Sequence, residues 1–278
     1  MRACGTIGFV SETGTATSAD GSTIGFERLG DGPPLVAVHG ASADRTRWAP
    51  VRDELATSFE LFLVDRRGRG LSIAEAAGPY DLAREGEDIA AVLAAAGRPA
   101  LLVGHSYGAI VSIEAALRSD LVAALVLYEP AAATPGHVPI ADEVLDRFDA
   151  LLDDGDQVGA LELFFAEVVG LPSAAIDEMR GTPIWEARLA AVHTIPREAR
   201  AANAVDLSAT RLAPIQVPTT VLMGTDTAPW LQAAARAAHA ALPGSRFVEL
   251  EGQGHMAIDL APDRFIEEVR RAATLADR

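Results

Sequence analysis

One serine in this chain stands where its hydroxyl could act as a nucleophile. Ser106 is the centre of the pentapeptide Gly-His-Ser-Tyr-Gly at residues 104–108, which follows an apolar run and precedes a stretch with helical spacing. A serine at such a sharp strand-to-helix turn has a strained backbone, and the flanking glycines let the strand and the helix approach each other. The turn predicts an exposed hydroxyl at a helix N-terminus, where negative charge is stabilised.

A serine hydroxyl is a weak nucleophile at neutral pH, and so it needs a general base within hydrogen-bond reach. The chain has six histidines. His255 is the best candidate, because it follows the loop Gly-Gln-Gly at residues 252–254 after the last predicted strand. Such a loop can approach the carboxyl edge of the sheet, where Ser106 is expected. His105 is instead expected to pack beneath the turn, since neighbouring side chains on a strand point to opposite faces.

The elements that must position these residues alternate along the chain. Short apolar runs and longer amphipathic stretches follow one another, which favours a mostly parallel sheet with helices on both faces. A hairpin is predicted first, with strands at residues 13–19 and 22–29. Buried parallel strands are predicted at residues 35–38, 61–64, 101–103, 124–127 and 220–223, and a last strand at 246–250. Helices are predicted at residues 48–57, 82–96, 109–118, 231–241 and 262–273.

The segment from residue 135 to residue 212 breaks this alternation. It has no convincing strand and has the pattern of consecutive helices, including helices at 144–152 and 157–169. A single crossover does not need so many residues. We therefore predict that residues 135–212 form a helical cap over the strand ends, inserted into one core domain of residues 1–134 and 213–278.

Side chains of this cap are candidates for contact with a ligand. Phe165, Trp185 and His193 are taken as candidate substrate-binding residues. The alternative for the two aromatic residues is the cap's own core, because an apolar stripe on a helix usually packs against other helices. The alternative for His193 is a surface or core histidine without a role in binding.

The composition is that of a globular chain with one large α/β domain or two small ones. Of the 278 residues, 49% are hydrophobic, and 39 acidic against 23 basic side chains give a formal net charge of −16. This charge repels phosphate backbones and anionic lipids, so we expect a small-molecule substrate and no nucleic-acid or membrane partner. The single cysteine, Cys4, and the lack of a signal-peptide pattern in residues 1–10 favour a cytoplasmic location.

Four stretches of the sequence, in this order, resemble the α/β-hydrolase family in its lid-bearing form. They are His-Gly-Ala at 39–41, Asp-Arg-Arg-Gly-Arg-Gly-Leu-Ser at 65–72, Gly-His-Ser-Tyr-Gly at 104–108 and Gly-Gln-Gly-His at 252–255. The resemblance covers most of the chain. It implies an eight-stranded sheet whose second strand is antiparallel, with a cap between strands six and seven. It also implies that the backbone N–H groups of Ala41 and Tyr107 form an oxyanion hole.

The same resemblance leaves two candidates for the carboxylate that orients His255. In most members the acid stands three residues beyond the glycine that ends strand seven; here that glycine is Gly224, and the position holds Thr227. Thr227 cannot orient an imidazole as a carboxylate does. Asp226 lies one position early, whereas Glu129 lies just past strand six, where certain haloalkane dehalogenases of the family carry their acid. We favour Glu129 and keep Asp226 as the alternative.

Together these residues predict a serine hydrolase for a small, mainly apolar carboxylic ester or related acyl compound. Ser106 would attack the carbonyl, His255 would transfer the proton, and water would release the acyl-enzyme. The mechanism requires no metal and no organic cofactor, and the sequence has no phosphate-loop motif. Hydrolysis of a diketone C–C bond and cofactor-free perhydrolysis use the same groups and stay open. A non-enzymatic ligand-binding protein on this fold is a further alternative.

Overall fold

A computed structural model of the chain describes residues 9–76 and 78–276. Residues 1–8, which include Cys4 and most of the stretch used to predict a cytoplasmic location, lie outside the described residues. In the part of the chain that the structure describes, no helix is both long enough and apolar enough to cross a membrane.

An eight-stranded sheet forms the centre of the molecule. Its strands are β1 (Glu12–Thr17), β2 (Thr23–Leu29), β3 (Pro34–Val38), β4 (Glu60–Val64), β5 (Ala100–His105), β6 (Val122–Tyr128), β7 (Thr219–Gly224) and β8 (Arg246–Leu250). They lie in the order β1-β2-β4-β3-β5-β6-β7-β8. The second strand, β2, is antiparallel to β1 and β4, and all other neighbours are parallel. The predicted fold class, including its antiparallel second strand, is confirmed.

Twelve α-helices of the described residues connect and cover these strands. They are α1 (Ala49–Ala56), α2 (Leu82–Ala96), α3 (Tyr107–Ala116), α4 (Asp142–Asp153), α5 (Gln157–Leu163), α6 (Ser173–Met179), α7 (Pro183–Ala191), α8 (Ile195–Ala204), α9 (Ala209–Leu212), α10 (Pro229–Ala241), α11 (Ala257–Leu260) and α12 (Pro262–Ala276). Shorter turns are 3₁₀ at Arg45–Trp48, Gly70–Ser72 and Val192–Thr194, and π-helical at Phe164–Val169. The helix predicted at 157–169 is therefore α-helical only as far as Leu163.

The sheet is buried on both faces by these helices. One apolar cluster joins α2, α3 and α10 to one face, and a second joins α1, α11 and α12 to the other. Along β3, Val36 and Val38 belong to the first cluster while Leu35 and Ala37 belong to the second. Because successive side chains of a strand alternate between faces, both must be apolar, and this explains the continuous apolar runs in the sequence.

Helices α4 to α9 follow one another between β6 and β7, where the cap is predicted. We keep the name cap for residues 135–212. Most of these helices share an apolar cluster of their own, which includes Phe148, Leu161 and Trp185. A separate cluster means that the cap has its own core. Ala202 of α8 and Leu212 of α9 belong instead to the apolar cluster on one face of the sheet.

A buried cluster of charged side chains fixes the cap to the core. Glu198 of α8 lies 2.9 Å from Nη2 of Arg66 and also accepts a hydrogen bond from Arg69. The Arg66 guanidinium in turn donates two hydrogen bonds of 2.7 Å to Glu85 of α2. Burial opposes the ionisation of Glu85, but Arg66 more than offsets this and holds the pKa of that carboxyl below its ordinary value. The two cations and the two anions thus balance one another away from water.

The turn between β5 and α3 depends on unusually close backbone contacts. A Cβ atom on Gly108 would lie 2.2 Å from the carbonyl oxygen of Val38 and 2.5 Å from that of His39. A Cβ atom on Gly104 would lie 2.5 Å from the carbonyl oxygen of Gly108. Since backbone atoms cannot rotate out of the way as a flexible side chain can, only glycine lets α3 start this close to β3 and β5.

We expect Gly108→Ala to lower the free energy of unfolding by about 3 kcal/mol, because the added methyl group overlaps two fixed carbonyl oxygens. Gly155→Ala is the control. Gly155 has φ of 76° but open space around it, so its loss is limited to a left-handed backbone cost of about 1 to 2 kcal/mol. Chemical denaturation of both variants measures the difference. Equal losses would contradict a special constraint at Gly108.

Candidate active site

Ser106 lies at the turn between β5 and α3, as the residue that caps the helix N-terminus. Its φ of 57° and ψ of −122° are sparsely populated for a residue with a side chain. Three backbone hydrogen bonds hold it there. Its N–H donates to Tyr128 at 2.8 Å, and its carbonyl accepts from Ala109 at 2.9 Å and from Ala131 at 3.2 Å. Hydrogen bonds from α3 and from the end of β6 thus hold the strained backbone of Ser106 in place. Ser106 also lines a cavity.

The structure brings His255 and Glu129 together. Nδ1 of His255 lies 2.5 Å from Oε2 of Glu129, whose side chain is completely buried. The same carboxylate accepts hydrogen bonds from the backbone N–H of Gly224 at 2.8 Å and from the hydroxyl of Thr227 at 2.9 Å. A carboxylate at Nδ1 favours the imidazole tautomer with its proton on that nitrogen, which leaves Nε2 as a hydrogen-bond acceptor.

The backbone after β6 determines where Glu129 points. Glu129 has φ of 47°, in the left-handed region that side chains rarely adopt, and its N–H donates to Leu222 of β7 at 3.0 Å. Because β5, β6 and β7 are adjacent, Ser106, Glu129 and Gly224 all lie at the carboxyl ends of neighbouring strands. The turn at Glu129 directs its carboxylate back toward β7 and the His255 loop.

Asp226, the alternative acid, does not reach His255. Its carboxylate accepts a hydrogen bond from the neighbouring Thr225 hydroxyl at 3.2 Å, and the residue is exposed. Its backbone N–H faces the His255 loop instead, donating to Gln253 at 2.8 Å. Thr227, one position later, is the buried residue whose side chain turns inward to Glu129. The prediction that kept Asp226 as the alternative acid is therefore corrected, because after β7 the side chain of Thr227 points toward Glu129 and that of Asp226 does not.

Tyr128 and His105 support the loop that carries His255. The Tyr128 hydroxyl donates to the carbonyl of Gly254 and accepts from the N–H of Ala257 at 3.2 Å. The His105 ring packs against the His255 ring at a tilt of 35° with 4.5 Å between centroids, and its Nε2 lies 3.1 Å from the His255 carbonyl oxygen. Burial, and then the positive charge that His255 can carry, hold the pKa of His105 well below its ordinary value. A neutral His105 donates from Nε2 and steadies the loop.

Sequence reasoning missed the contribution of Tyr128. Its only sequence signal is its position directly before Glu129 at the end of an apolar strand. His105 was expected to pack beneath the turn, and it is buried there. Its contact with His255 joins residues 150 positions apart, which no local pattern indicates.

Ser106 and His255 line the same cavity. Among the hydrogen bonds of the described residues, none joins these two side chains. Hydrogen bonds between a nucleophile and its base are often long in unliganded sites and shorten when substrate binds. The arrangement therefore provides an oriented imidazole and a nearby hydroxyl, with the final alignment left to the bound complex.

The loop after β3 lies against Ser106. A Cβ atom on Gly40 would lie 2.9 Å from Cβ and 3.4 Å from Oγ of Ser106. His39 stabilises this loop, since Nδ1 donates to the carbonyl of Gly40 at 2.8 Å and Nε2 accepts the N–H of Arg66 at 3.2 Å. Burial, followed by the charge of Arg66, lowers the pKa of His39, so the ring is neutral as this bonding requires.

Ala41 and Tyr107, the predicted oxyanion donors, both line the cavity beside Ser106. Tyr107 is the first residue of α3, and the N–H groups of a first helical turn have no partner within the helix. The site is therefore bordered by a helix N-terminus, where a negative charge is favoured.

The cavity has a volume of about 470 Å³ and lies between the strand ends and the cap. Its apolar lining from the cap includes Ile140, Phe164, Phe165, Val168, Leu171 and Met179. Phe165 is thus one of the lining residues, and its contact with substrate stays a prediction. No three His, Cys, Asp or Glu side chains of the described chain are grouped so that they could hold a metal ion.

Trp185 and His193 do not line this cavity, and the prediction of substrate contact is corrected for both. Trp185 is buried in the cap's own core, where its ring packs on Phe165 with 6.1 Å between centroids. Phe165 thus separates Trp185 from the cavity. His193 lies in a 3₁₀ turn and is exposed. Helical spacing identified both as cap residues but could not assign them to the face above Ser106.

The chain is similar to known proteins along most of its length. The profile of the Alpha/beta hydrolase family matches residues 35–268. A 2-(acetamidomethylene)succinate hydrolase of Mesorhizobium japonicum is 32% identical over 161 residues, which are 55% of each chain. A pimeloyl-[acyl-carrier protein] methyl ester esterase of Aeromonas salmonicida is 28% identical over 256 residues, 89% of this chain and 98% of its own.

A solved structure extends the likeness to three dimensions. The crystal structure of an alpha/beta hydrolase from Sphaerobacter thermophilus DSM 20745 has a TM-score of 0.76 and 35% sequence identity to this chain. The similarity covers 91% of this chain and 99% of the other. The family profile spans well over half of the sequence and agrees with the eight-stranded sheet. The chain belongs to the α/β-hydrolase family.

Proposed function

We propose that this hydrolase cleaves carboxylic esters through an acyl-enzyme, with Ser106 as nucleophile, His255 as general base and Glu129 as the acid that orients the base. The observation that carries the proposal is the 2.5 Å contact between His255 Nδ1 and the buried Glu129 carboxylate, in a cavity that Ser106 also lines. An imidazole held in this way by a carboxylate is the means by which a serine hydroxyl becomes nucleophilic near neutral pH.

In this mechanism Oγ of Ser106 attacks the carbonyl carbon of the ester while Nε2 of His255 accepts the hydroxyl proton. The Glu129 carboxylate stabilises the imidazolium that forms. The oxyanion accepts hydrogen bonds from the backbone N–H groups of Ala41 and Tyr107. His255 then gives its proton to the leaving alcohol. A water molecule, deprotonated by His255, attacks the acyl-enzyme and releases the carboxylic acid.

The choice of an ester rests on the nucleophile, the cavity and the relatives. A serine forms an acyl-enzyme, whereas dehalogenase and epoxide hydrolase chemistry need a carboxylate nucleophile. The cavity of about 470 Å³ is small, and most of the cap side chains that line it are apolar. One relative that aligns with 89% of this chain is named as a methyl ester esterase. These observations favour a small ester with an apolar body.

The Glu129 assignment predicts unequal effects of two conservative substitutions. Glu129→Gln should lower kcat/KM for p-nitrophenyl butyrate by roughly 10⁴-fold, because an amide facing Nδ1 favours the wrong imidazole tautomer. Asp226→Asn, the matched control, should change kcat/KM by less than about threefold, since Asp226 is exposed and turned toward Thr225. Circular dichroism melting of both variants separates a catalytic loss from unfolding. A nearly silent Glu129→Gln in a folded protein would refute the assignment.

The nucleophile is tested by covalent labelling. A fluorophosphonate should label the folded wild type at Ser106 and leave Ser106→Ala unlabelled, because only an activated serine reacts rapidly with this reagent. Ser112→Ala is the control: Ser112 lies in α3 and donates to the carbonyl of Gly108 at 2.7 Å. It should retain labelling. Peptide mass spectrometry locates the adduct. Absence of labelling in folded wild type would instead favour a ligand-binding protein without hydrolase activity.

A further inference from the structure

One arginine of the cap lines the cavity without a carboxylate partner. Arg188 of α7 donates from Nη1 to the hydroxyl of Ser42 at 2.6 Å and to its carbonyl at 3.4 Å. Its Nε is buried and has no hydrogen-bond partner among the described residues. Within the same residues no carboxylate oxygen lies within 4 Å of its guanidinium, and Phe165 packs against it with 5.6 Å from Cζ to the ring centroid.

This lack of a partner distinguishes Arg188 from the rest of the cap. Each other arginine between residues 135 and 212 forms an ion pair with a carboxylate. These are Arg147 with Glu167, Arg180 with Glu162 and Asp177, Arg197 with Glu75, Arg200 with Asp149, and Arg211 with Glu114. The arginine without an anion is thus the one that lines the cavity, where a bound molecule could supply the anion.

Burying the Arg188 guanidinium without a counterion costs free energy unless a ligand supplies the negative charge. Burial, and then the nearby charge of Arg47, lower the pKa of Arg188 to about 10, so it is still protonated at neutral pH. Arg47 also lines the cavity, but it is paired with Asp259 at 2.7 Å. Two acids act on the charge of Arg188, Asp44 and Asp259. Asp259 is the partner of Arg47, and Oδ1 of Asp44 accepts from the N–H of Thr46 at 2.8 Å. A buried charge without a counterion gains most from a carboxylate with matching geometry.

We propose that Arg188 binds a carboxylate of the substrate, so that the ester cleaved at Ser106 carries an apolar body and one anionic group. The inference rests on the proposed function and names its substrate class. Nη1 is occupied by Ser42, and Nε with Nη2 form the side of the guanidinium that accepts a bidentate carboxylate. The chain has a net charge of −16, which repels anions at long range, so an anionic substrate needs this local cation.

The position of Arg188 places the anionic group near the reacting centre. Ser42, its partner, belongs to the same loop as Gly40, whose backbone contacts Ser106, and as the proposed donor Ala41. A carboxylate on Arg188 therefore lies beside the oxyanion loop, with the apolar cap residues around the remaining part of the substrate. Such a contact fixes the orientation of the ester as well as its affinity.

Two substrate pairs test the preference in the wild type. Monomethyl glutarate against methyl pentanoate places the carboxylate on the acyl side, and 4-acetoxybenzoate against 4-acetoxybenzamide places it on the leaving group. We expect kcat/KM for the anionic member of at least one pair to exceed that for its neutral partner by about tenfold or more, mainly through KM. The pair that responds shows on which side of the scissile bond Arg188 acts. A preference for the neutral member in both pairs would overturn the proposal.

Substitutions connect this preference to Arg188. Arg188→Met should lower the anionic-to-neutral ratio of kcat/KM by on the order of 30-fold, and Arg188→Lys should lower it less, since lysine keeps the charge but loses the bidentate geometry. Arg147→Met is the control, because it removes the same charge from an exposed ion pair of 2.8 Å outside the cavity. Its ratio should equal that of the wild type. An unchanged ratio in folded Arg188→Met would refute the subsite.

Binding without turnover separates this inference from the proposed function. Calorimetric titration of Ser106→Ala with monomethyl glutarate and with 4-acetoxybenzoate should show binding of at least one of these two esters, weakened on the order of 30-fold when Arg188→Met is added. This outcome with a wild type inert toward all four esters would contradict ester hydrolysis and support the subsite. Hydrolysis of neutral and anionic esters at equal rates, with no effect of Arg188, would leave the proposed function intact and contradict the subsite.

Discussion

The approach of α3 to the carboxyl ends of β3 and β5 is the constraint on which the rest of the site depends. The helix can start this close only because Gly104 and Gly108 carry no side chain where backbone carbonyls lie within 2.5 Å of a notional Cβ atom. At this contact Ser106 has its strained conformation, and the first residue of α3, Tyr107, lines the cavity with its N–H unpaired within the helix. It also brings Gly40 against Ser106. The positions of Ser106, of the helix N-terminus and of the loop after β3 therefore all depend on this one close contact between α3 and the strands.

The position of the acid follows from this arrangement and from the order of the strands. With β6 between β5 and β7, a carboxylate at the end of either β6 or β7 lies within reach of an imidazole next to Ser106. Here Glu129 at the end of β6 has that place, and Thr227 after β7 donates to it at 2.9 Å. A buried carboxylate needs several donors to offset its desolvation, and Thr227, Gly224 and His255 supply them. Thr227 stands where most family members carry the acid, and here its hydroxyl donates a hydrogen bond to Glu129 instead.

Much of the fold could be predicted because it depends on local patterns. Strands buried on both faces have continuous apolar runs, and helices α2 and α12 were predicted with the correct first residue from periodicity and punctuation. The direction of an acidic side chain that follows a strand depends on contacts with distant parts of the chain. Glu129 reaches His255 through a left-handed backbone turn, and Asp226 turns away because its N–H bonds to Gln253. Neither contact has a signal in a single sequence.

The cap shows the same limit more strongly. Apolar spacing identified its helices, but Phe165 lines the cavity while Trp185, which packs against it, does not. Nothing in the sequence distinguishes Arg188 from the other arginines of the cap, since the pairing of each depends on contacts that the folded chain makes. Only the absence of such a contact sets Arg188 apart.

The placement of Arg188 depends in turn on how the cap is attached. Glu198 of α8, only ten residues beyond Arg188, is buried against Arg66 and Arg69 of the core. Separating Glu198 from the two arginines would leave buried charges unpaired, at a cost of about 3–5 kcal/mol. The carboxyl-terminal part of the cap is thereby held in place, and Arg188 stays on Ser42. The segment from α4 to α6 has no equivalent buried ion pair to the core among the described residues. The attachment of these helices therefore rests mainly on apolar contacts with α7 and α8.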